Sequence, residues 1–120
     1  MGNGIKTVLI LEDQPLIALD IEDVLMQSGF TNINIITSCA DADQWLSRNH
    51  PDLAIIDVHL RDGICSNAAQ TLVDNGVPFI VHSARDTHHS DDGSVFTKGI
   101  WVSKPSLPEM LASIVQTTIG

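Results

Sequence analysis

Tyrosine is absent from this chain, and three phenylalanines and two tryptophans are the only aromatic residues among its 120. Its core must therefore be built mainly from aliphatic side chains. Basic residues are also scarce: six against fifteen acidic ones, for a formal net charge of −9. A long-range field of that sign repels nucleic acid and anionic membrane surfaces, so neither is expected as a partner. The two cysteines, Cys39 and Cys65, are too few for a disulfide framework or a zinc site, and are expected to be free packing thiols. No run of about eighteen apolar residues occurs, and the N-terminus lacks the basic-then-apolar pattern of a secretory signal. These absences predict a soluble, cytoplasmic protein. The length suits one domain with a core of its own, over residues 5–120, after a loose lead-in at residues 1–4.

What is present is a regular alternation of short apolar runs and amphipathic stretches. Ile5–Leu11, Ile33–Thr37, Asp52–Asp57, Val77–His82 and Ile100–Ser103 read as strands. Leu53-Ala54-Ile55-Ile56 is apolar without interruption, as a strand buried on both faces should be. Between the strands, helices are predicted from Pro15 to about Ser28, from Asp41 to about Asn49, and from Ile64 to Asp74. A last helix is predicted from Pro105 to Ile119, capped at Ser106 with Glu109 in its first turn. Residues 85–99 are polar until Val95 and Phe96, so a regular fourth helix is doubtful there. Strands alternating with helices make βαβ units with right-handed crossovers. The fold class is thus α/β: a flavodoxin-like, doubly wound, five-stranded parallel sheet of order 2-1-3-4-5.

In that architecture the carboxyl ends of the strands share one edge, where ligands bind. Glu12-Asp13 follows the first strand, Asp57 ends the third, Ser83 follows the fourth and Lys104 follows the fifth. Taken singly each is a weak signal: an acidic pair at a helix start, a turn aspartate, a turn serine, a solvated lysine. Together, carboxylates within about 4–6 Å repel one another unless a cation neutralises them. Mg²⁺ takes one or two carboxylates, keeps waters and readily adds a phosphate oxygen. A nearby ammonium and a hydroxyl complete a set suited to a phosphoryl group.

This constellation resembles the receiver domain of two-component response regulators over essentially the whole chain. The residues that carry the resemblance are Glu12-Asp13 after Val-Leu-Ile-Leu, Asp57 after Leu-Ala-Ile-Ile, Ser83-Ala84 after Phe-Ile-Val-His, and Lys104-Pro105, with Trp101 three residues before the lysine. The resemblance implies a receiver of the stand-alone, chemotaxis-type kind, which assists its own phosphorylation without being a conventional enzyme. Asp57 would be the phospho-acceptor, taking its group from a histidine kinase or histidine phosphotransfer protein. Glu12, Asp13, Asp57 and the backbone carbonyl of His59 would hold Mg²⁺ or Mn²⁺. Lys104 would pair with the phosphoryl group, and Ser83 and Trp101 would form the switch read by a downstream protein target. His59 and Arg85 occupy positions that tune the lifetime of the acyl phosphate in this family. The Lys104-Pro105 bond is expected to be cis.

The chain departs from the family pattern in several places. Arg61 stands where a proline is common, and Asp62-Gly63 comes early, so the loop after the third strand looks about two residues short. Thr97-Lys98 replaces the usual Gly-Ala pair. His88-His89 with Asp91-Asp92 reads as a solvated loop, because the spacing fits no ligand pattern. Of the rival functions, an Asp-nucleophile phosphatase needs a second aspartate where His59 stands. A flavodoxin-like electron carrier needs a phosphate-binding loop that Glu12-Asp13 would repel. Within the family, a receiver excised from a hybrid kinase or a longer regulator, and a phosphate sink, stay open as alternatives.

Overall fold

A computed structural model describes residues 5–83, 95–103 and 108–119. The five principal strands are β1 (Thr7–Leu11), β2 (Asn32–Ile36), β3 (Leu53–Ile56), β6 (Phe79–Ser83) and β7 (Ile100–Ser103). They form one sheet of order β2-β1-β3-β6-β7, parallel throughout. Counting only these strands, the order is the expected 2-1-3-4-5. Four α-helices are described: α1 (Pro15–Gln27), α2 (Cys39–Leu46), α3 (Ser66–Asp74) and α4 (Pro108–Ile119). Among the described residues no helix is long and apolar enough to cross a membrane.

The period of two along each strand divides the core between the sheet's faces. Val8 and Ile10 of β1, Leu53 and Ile55 of β3, and Ile80 of β6 join Ile21, Val24, Leu25, Leu111 and Val115 from α1 and α4. The alternate residues Leu9, Leu11, Ala54, Ile56, Phe79 and Val81 join Ala42, Leu46, Ala68, Ala69 and Leu72 from α2 and α3. All four residues of β3 are buried, which accounts for its lack of polar alternation. Asp52, expected to open this strand, lies just before it. Its carboxylate accepts the Thr7 N–H at 2.7 Å and so pins the start of β1.

Several boundaries move for identifiable reasons. Helix α2 begins at Cys39 rather than Asp41, because the Ser38 side chain accepts the Asp41 N–H at 3.1 Å and caps the helix. Between β3 and α3 the chain forms an unforeseen hairpin, β4 (His59–Leu60) with β5 (Gly63–Ile64), pairing His59 with Ile64 and Leu60 with Gly63. Gly63 turns this hairpin at φ 125°, a conformation closed to other residues without strain.

Residues 95–99 contain a 3-10 turn at Phe96–Lys98, held by Phe96, which is wholly buried against the α2/α3 face. A Cβ on Gly99 would stand 2.8 Å from the backbone carbonyl oxygen of Phe79, so this position before β7 is closed to side chains.

The expectation of free thiols is corrected. Cys39 and Cys65 form a disulfide with a Cα–Cα distance of 5.1 Å across 26 residues of sequence. Elements α2 and α3 cover the same sheet face, and that proximity brings together two cysteines far apart in the chain.

Candidate functional site at the strand ends

The sheet's hydrogen-bond ladder runs past its paired rows and carries the acidic residues with it. Leu11 pairs with Ile36 on one side and Ile56 on the other. One step further, the Glu12 N–H donates to the Ile36 carbonyl at 3.1 Å, and the Asp57 N–H donates to the Leu11 carbonyl at 2.9 Å. Glu12 and Asp57 thus leave neighbouring strands side by side, anchored by backbone. Ile56 pairs with Val81, so the chain order puts Ser83 on the next strand, two positions beyond that row. Ser83 in turn pairs with Ser103, the last residue of β7 before Lys104.

Glu12 is only 1% exposed, although it carries a carboxylate. Burying that group without partners is costly, and one oxygen accepts the Gln14 N–H at 3.1 Å, in the turn that starts α1. Pro15 opens the helix, and Gln14 makes no side-chain cap, so Glu12 takes over part of that role. Asp13 and Asp57 are half-exposed. One Asp57 oxygen accepts the His59 N–H at 3.3 Å, which ties the acceptor candidate to the start of the hairpin.

Ser83 is buried, as the last residue of β6 rather than a residue after the strand. Trp101 is half-buried and packs against the α2/α3-side core, with Val81 as its partner in the strand register. Lys104, Pro105, Ser106, Arg85, His88, His89, Asp91 and Asp92 lie outside the described residues. So do the lead-in at 1–4 and the proposed cis bond.

The fit of the acidic group to a cation can be judged from its donors. Among the described residues no three His, Cys, Asp or Glu side chains gather as a ready cage. Such a cage is what zinc or calcium would require. Mg²⁺ binds through one or two carboxylates and keeps its remaining positions for water and phosphate. Glu12 and Asp57 on adjacent strand ends, with Asp13 beside them, fit that smaller demand.

Next to this edge lies a group of residues that the sequence reading did not connect. Asp62, between the hairpin strands, accepts the Cys39 N–H at 2.7 Å and the Ala40 N–H at 3.1 Å, and so caps α2 from a distant part of the chain. These two donors hold the Asp62 carboxyl below the usual carboxylate range. Burial, and then the negative charge of Asp62, push Asp43 the other way. The Cys65 N–H closes the loop by donating to the Val58 carbonyl at 3.2 Å. His82, buried one residue before Ser83, was also given no role by the sequence reading, where it stood merely as the end of an apolar run. No local signal predicts the Asp62 cap, since it spans 22 residues.

No family model matches this sequence, and no curated protein matches it. Solved structures do. The receiver domain of a sensor histidine kinase from Pseudomonas aeruginosa superposes with a TM-score of 0.80 at 22% identity, over 98% of this chain and 99% of that one. That structure has a magnesium ion coordinated in its active-site cleft. The receiver domain of PhyR from Erythrobacter litoralis gives 0.82 at 24% identity, over 97% and 91% of the two chains. SdrG from Sphingomonas melonis gives 0.77 at 27% identity, over 99% and 100%. The CheY-like domain from Methanospirillum hungatei gives 0.81 at 17%. A five-stranded parallel sheet of this order, matched along nearly the whole length of such domains, gives the chain the fold of the response-regulator receivers.

Proposed function

We propose that this chain is a phospho-accepting receiver of a two-component or phosphorelay system, with Asp57 as the acceptor. The observation that carries the reading is the backbone-anchored placement of Asp57 beside the buried Glu12, with Ser83 at the end of the adjoining strand. The donor is a histidine kinase or a histidine phosphotransfer protein; the sensor-kinase receiver among the structural neighbours supports a partner of that class.

In the transfer, an Asp57 carboxylate oxygen attacks phosphorus in line. The P–N bond to the partner's histidine breaks, an acyl phosphate forms, and the imidazole leaves and takes up a proton. Such a transfer needs positioning and charge neutralisation more than covalent assistance. The His59 N–H fixes one Asp57 oxygen and thereby the orientation of the other. Mg²⁺ held by the Glu12, Asp13 and Asp57 group, one or two carboxylates directly and the rest through water, and by the His59 carbonyl would neutralise charge on the incoming phosphoryl group. Lys104 is assigned the pairing ammonium and Ser83 the hydrogen bond that senses the product. The acyl phosphate adds about two negative charges, which draw these groups inward and shift the population of the surrounding face toward the state a target protein reads, with Trp101 as part of that face. His59 and Arg85 are the residues assigned to control how quickly water reaches the acyl phosphate.

Incubation with acetyl phosphate and Mg²⁺ is expected to add one phosphoryl mass to the intact protein and none to Asp57→Asn. An unchanged label on that variant would end the acceptor assignment.

A further inference from the structure

The corner joining the hairpin to α2 contains the only cysteines of the chain, and nothing in the proposed phosphoryl chemistry uses them. Cys39 is the first residue of α2 and half-exposed; Cys65 immediately precedes α3 and is 1% exposed. Their disulfide therefore bolts the start of one helix to the start of the next, across the base of the hairpin. The hairpin is in turn continuous with the acceptor: Asp57 accepts the His59 N–H, and Val58 accepts the Cys65 N–H. A covalent tie at residue 65 thus acts two hydrogen bonds from the Asp57 carboxylate.

We propose that Cys39–Cys65 is a reversible redox site that sets the position of the hairpin and, through it, the phosphoryl chemistry at Asp57. The inference rests on the receiver reading above, which supplies both the reducing compartment and the phosphoryl chemistry. It follows from accessibility and compartment together. A receiver draws its phosphoryl groups ultimately from ATP, in a reducing compartment where a disulfide persists mainly as a transient or sensing bond. Cys39 is the more exposed of the two residues, so a dithiol reductant attacks its sulfur. A bond forms between the reductant's sulfur and Cys39 Sγ, the S–S bond breaks, and Cys65 leaves as a thiolate and is protonated. The reductant's second thiol then displaces Cys39, which is protonated in its turn. Two electrons and two protons pass to the protein, and the dithiol leaves as its own disulfide. The released Cys39 thiol has an acceptor waiting in the Gly63 carbonyl, 3.5 Å from its sulfur. In the opened form the hairpin keeps Asp62's bonds to the helix start but loses its covalent tie. Its acceptor end, and the His59 carbonyl assigned to Mg²⁺, are then less well fixed.

The test uses the full chain in three forms: air-oxidised, reduced with dithiothreitol, and Cys39→Ser. Reduced and alkylated wild-type protein is a second open form should the variant fold poorly. Alkylation followed by intact mass is expected to add nothing to the oxidised protein and two groups after reduction. Backbone amides of residues 59–65 are expected to exchange faster in every open form, and acetyl phosphate labelling to slow by at least about fivefold, the lower range of coupling between linked sites. The reductant is expected to change neither readout in Cys39→Ser. Two reactive thiols in air-exposed protein would overturn the disulfide. Equal exchange and equal labelling in both redox forms would overturn the switch and leave the acceptor standing. No label in either form would overturn the receiver reading and the functional half of the switch with it.

Discussion

The strand-end carboxylates and the Asp62–cysteine corner lie at neighbouring places in the fold, yet they are held by different means. Glu12 and Asp57 are fixed by a sheet: each continues a backbone ladder, and the strands behind them are buried on both faces. Moving the backbone at either residue requires moving the core. The corner is held by side chains reaching across loops, with one carboxylate on two N–H groups and one disulfide between two helix starts. The acceptor proposed at Asp57 thus follows a strand buried on both faces, while the segment bonded to it, His59 to Cys65, is tied down by side-chain bonds and a disulfide. On the proposed redox reading, this division would hold the acceptor in place while the hairpin beside it varies.

The sharpest way to separate the regions is to damage each alone. Ile55→Ala removes a fully buried side chain from the central strand, on the α1/α4 face of the sheet, where neither cysteine lies. It is expected to cost about 3–4 kcal/mol in urea unfolding, equally in oxidised and reduced protein, because the core it opens is on the opposite face from the disulfide. A cost that vanished on reduction would show that the two regions are not separate.

A smaller effect is expected from Gly63→Ala. At φ 125° an alanine is strained even though the space around it is open, so the loss should be about 1–2 kcal/mol. The strain is confined to the hairpin, so amide exchange should quicken at residues 59–64 and stay unchanged in β1 and β3. Faster exchange throughout the sheet would contradict the division.

The gentlest probe is pH. The carboxyl of Asp62 is lowered by the Cys39 and Ala40 N–H groups, so its contribution to stability is fully present above the ordinary aspartate range. It is lost as pH falls below about 4 and through the lowered folded value. Asp62→Asn should therefore be less stable than the wild type at neutral pH and converge with it in acid, as read from urea midpoints at several pH values. Asp43 opposes this trend: its raised value, due first to burial and then to Asp62, favours the protonated form, so its ionisation weakens the fold as pH rises. In Asp62→Asn the Asp43 titration should move down toward its ordinary range by NMR, while burial keeps it from reaching that range. A gap between the two proteins that stays constant with pH would remove the charge from the account of the cap.

The sheet was legible because its signals are local. Leu53-Ala54-Ile55-Ile56 has no polar residue to face solvent, and the acidic residues stand directly after apolar runs. Strand limits moved by only a residue or two, as at Asp52, whose carboxylate proved to be a clamp on Thr7. The corner was not legible because the Asp62 cap and the disulfide each join residues more than twenty apart. The second helix was placed two residues late, because neither the Ser38 cap on Asp41 nor the Asp62 bonds to Cys39 and Ala40 was read from the sequence. Likewise Cys39 and Cys65, counted as two isolated cysteines, gave no ground for a pair.

The sequence by itself determined the α/β class, the strand order and the placing of Glu12, Asp13, Asp57 and Ser83 at one edge. Hydrophobic period and right-handed crossover leave few other ways to bury such strands. Tertiary structure alone decided that α2 and α3, packed on one face, bring Cys39 within 5.1 Å of Cys65 between α-carbons, and that Asp62 turns back to cap α2. Those contacts depend on how two helices and a hairpin settle against a common surface, and no periodicity along the chain records that distance.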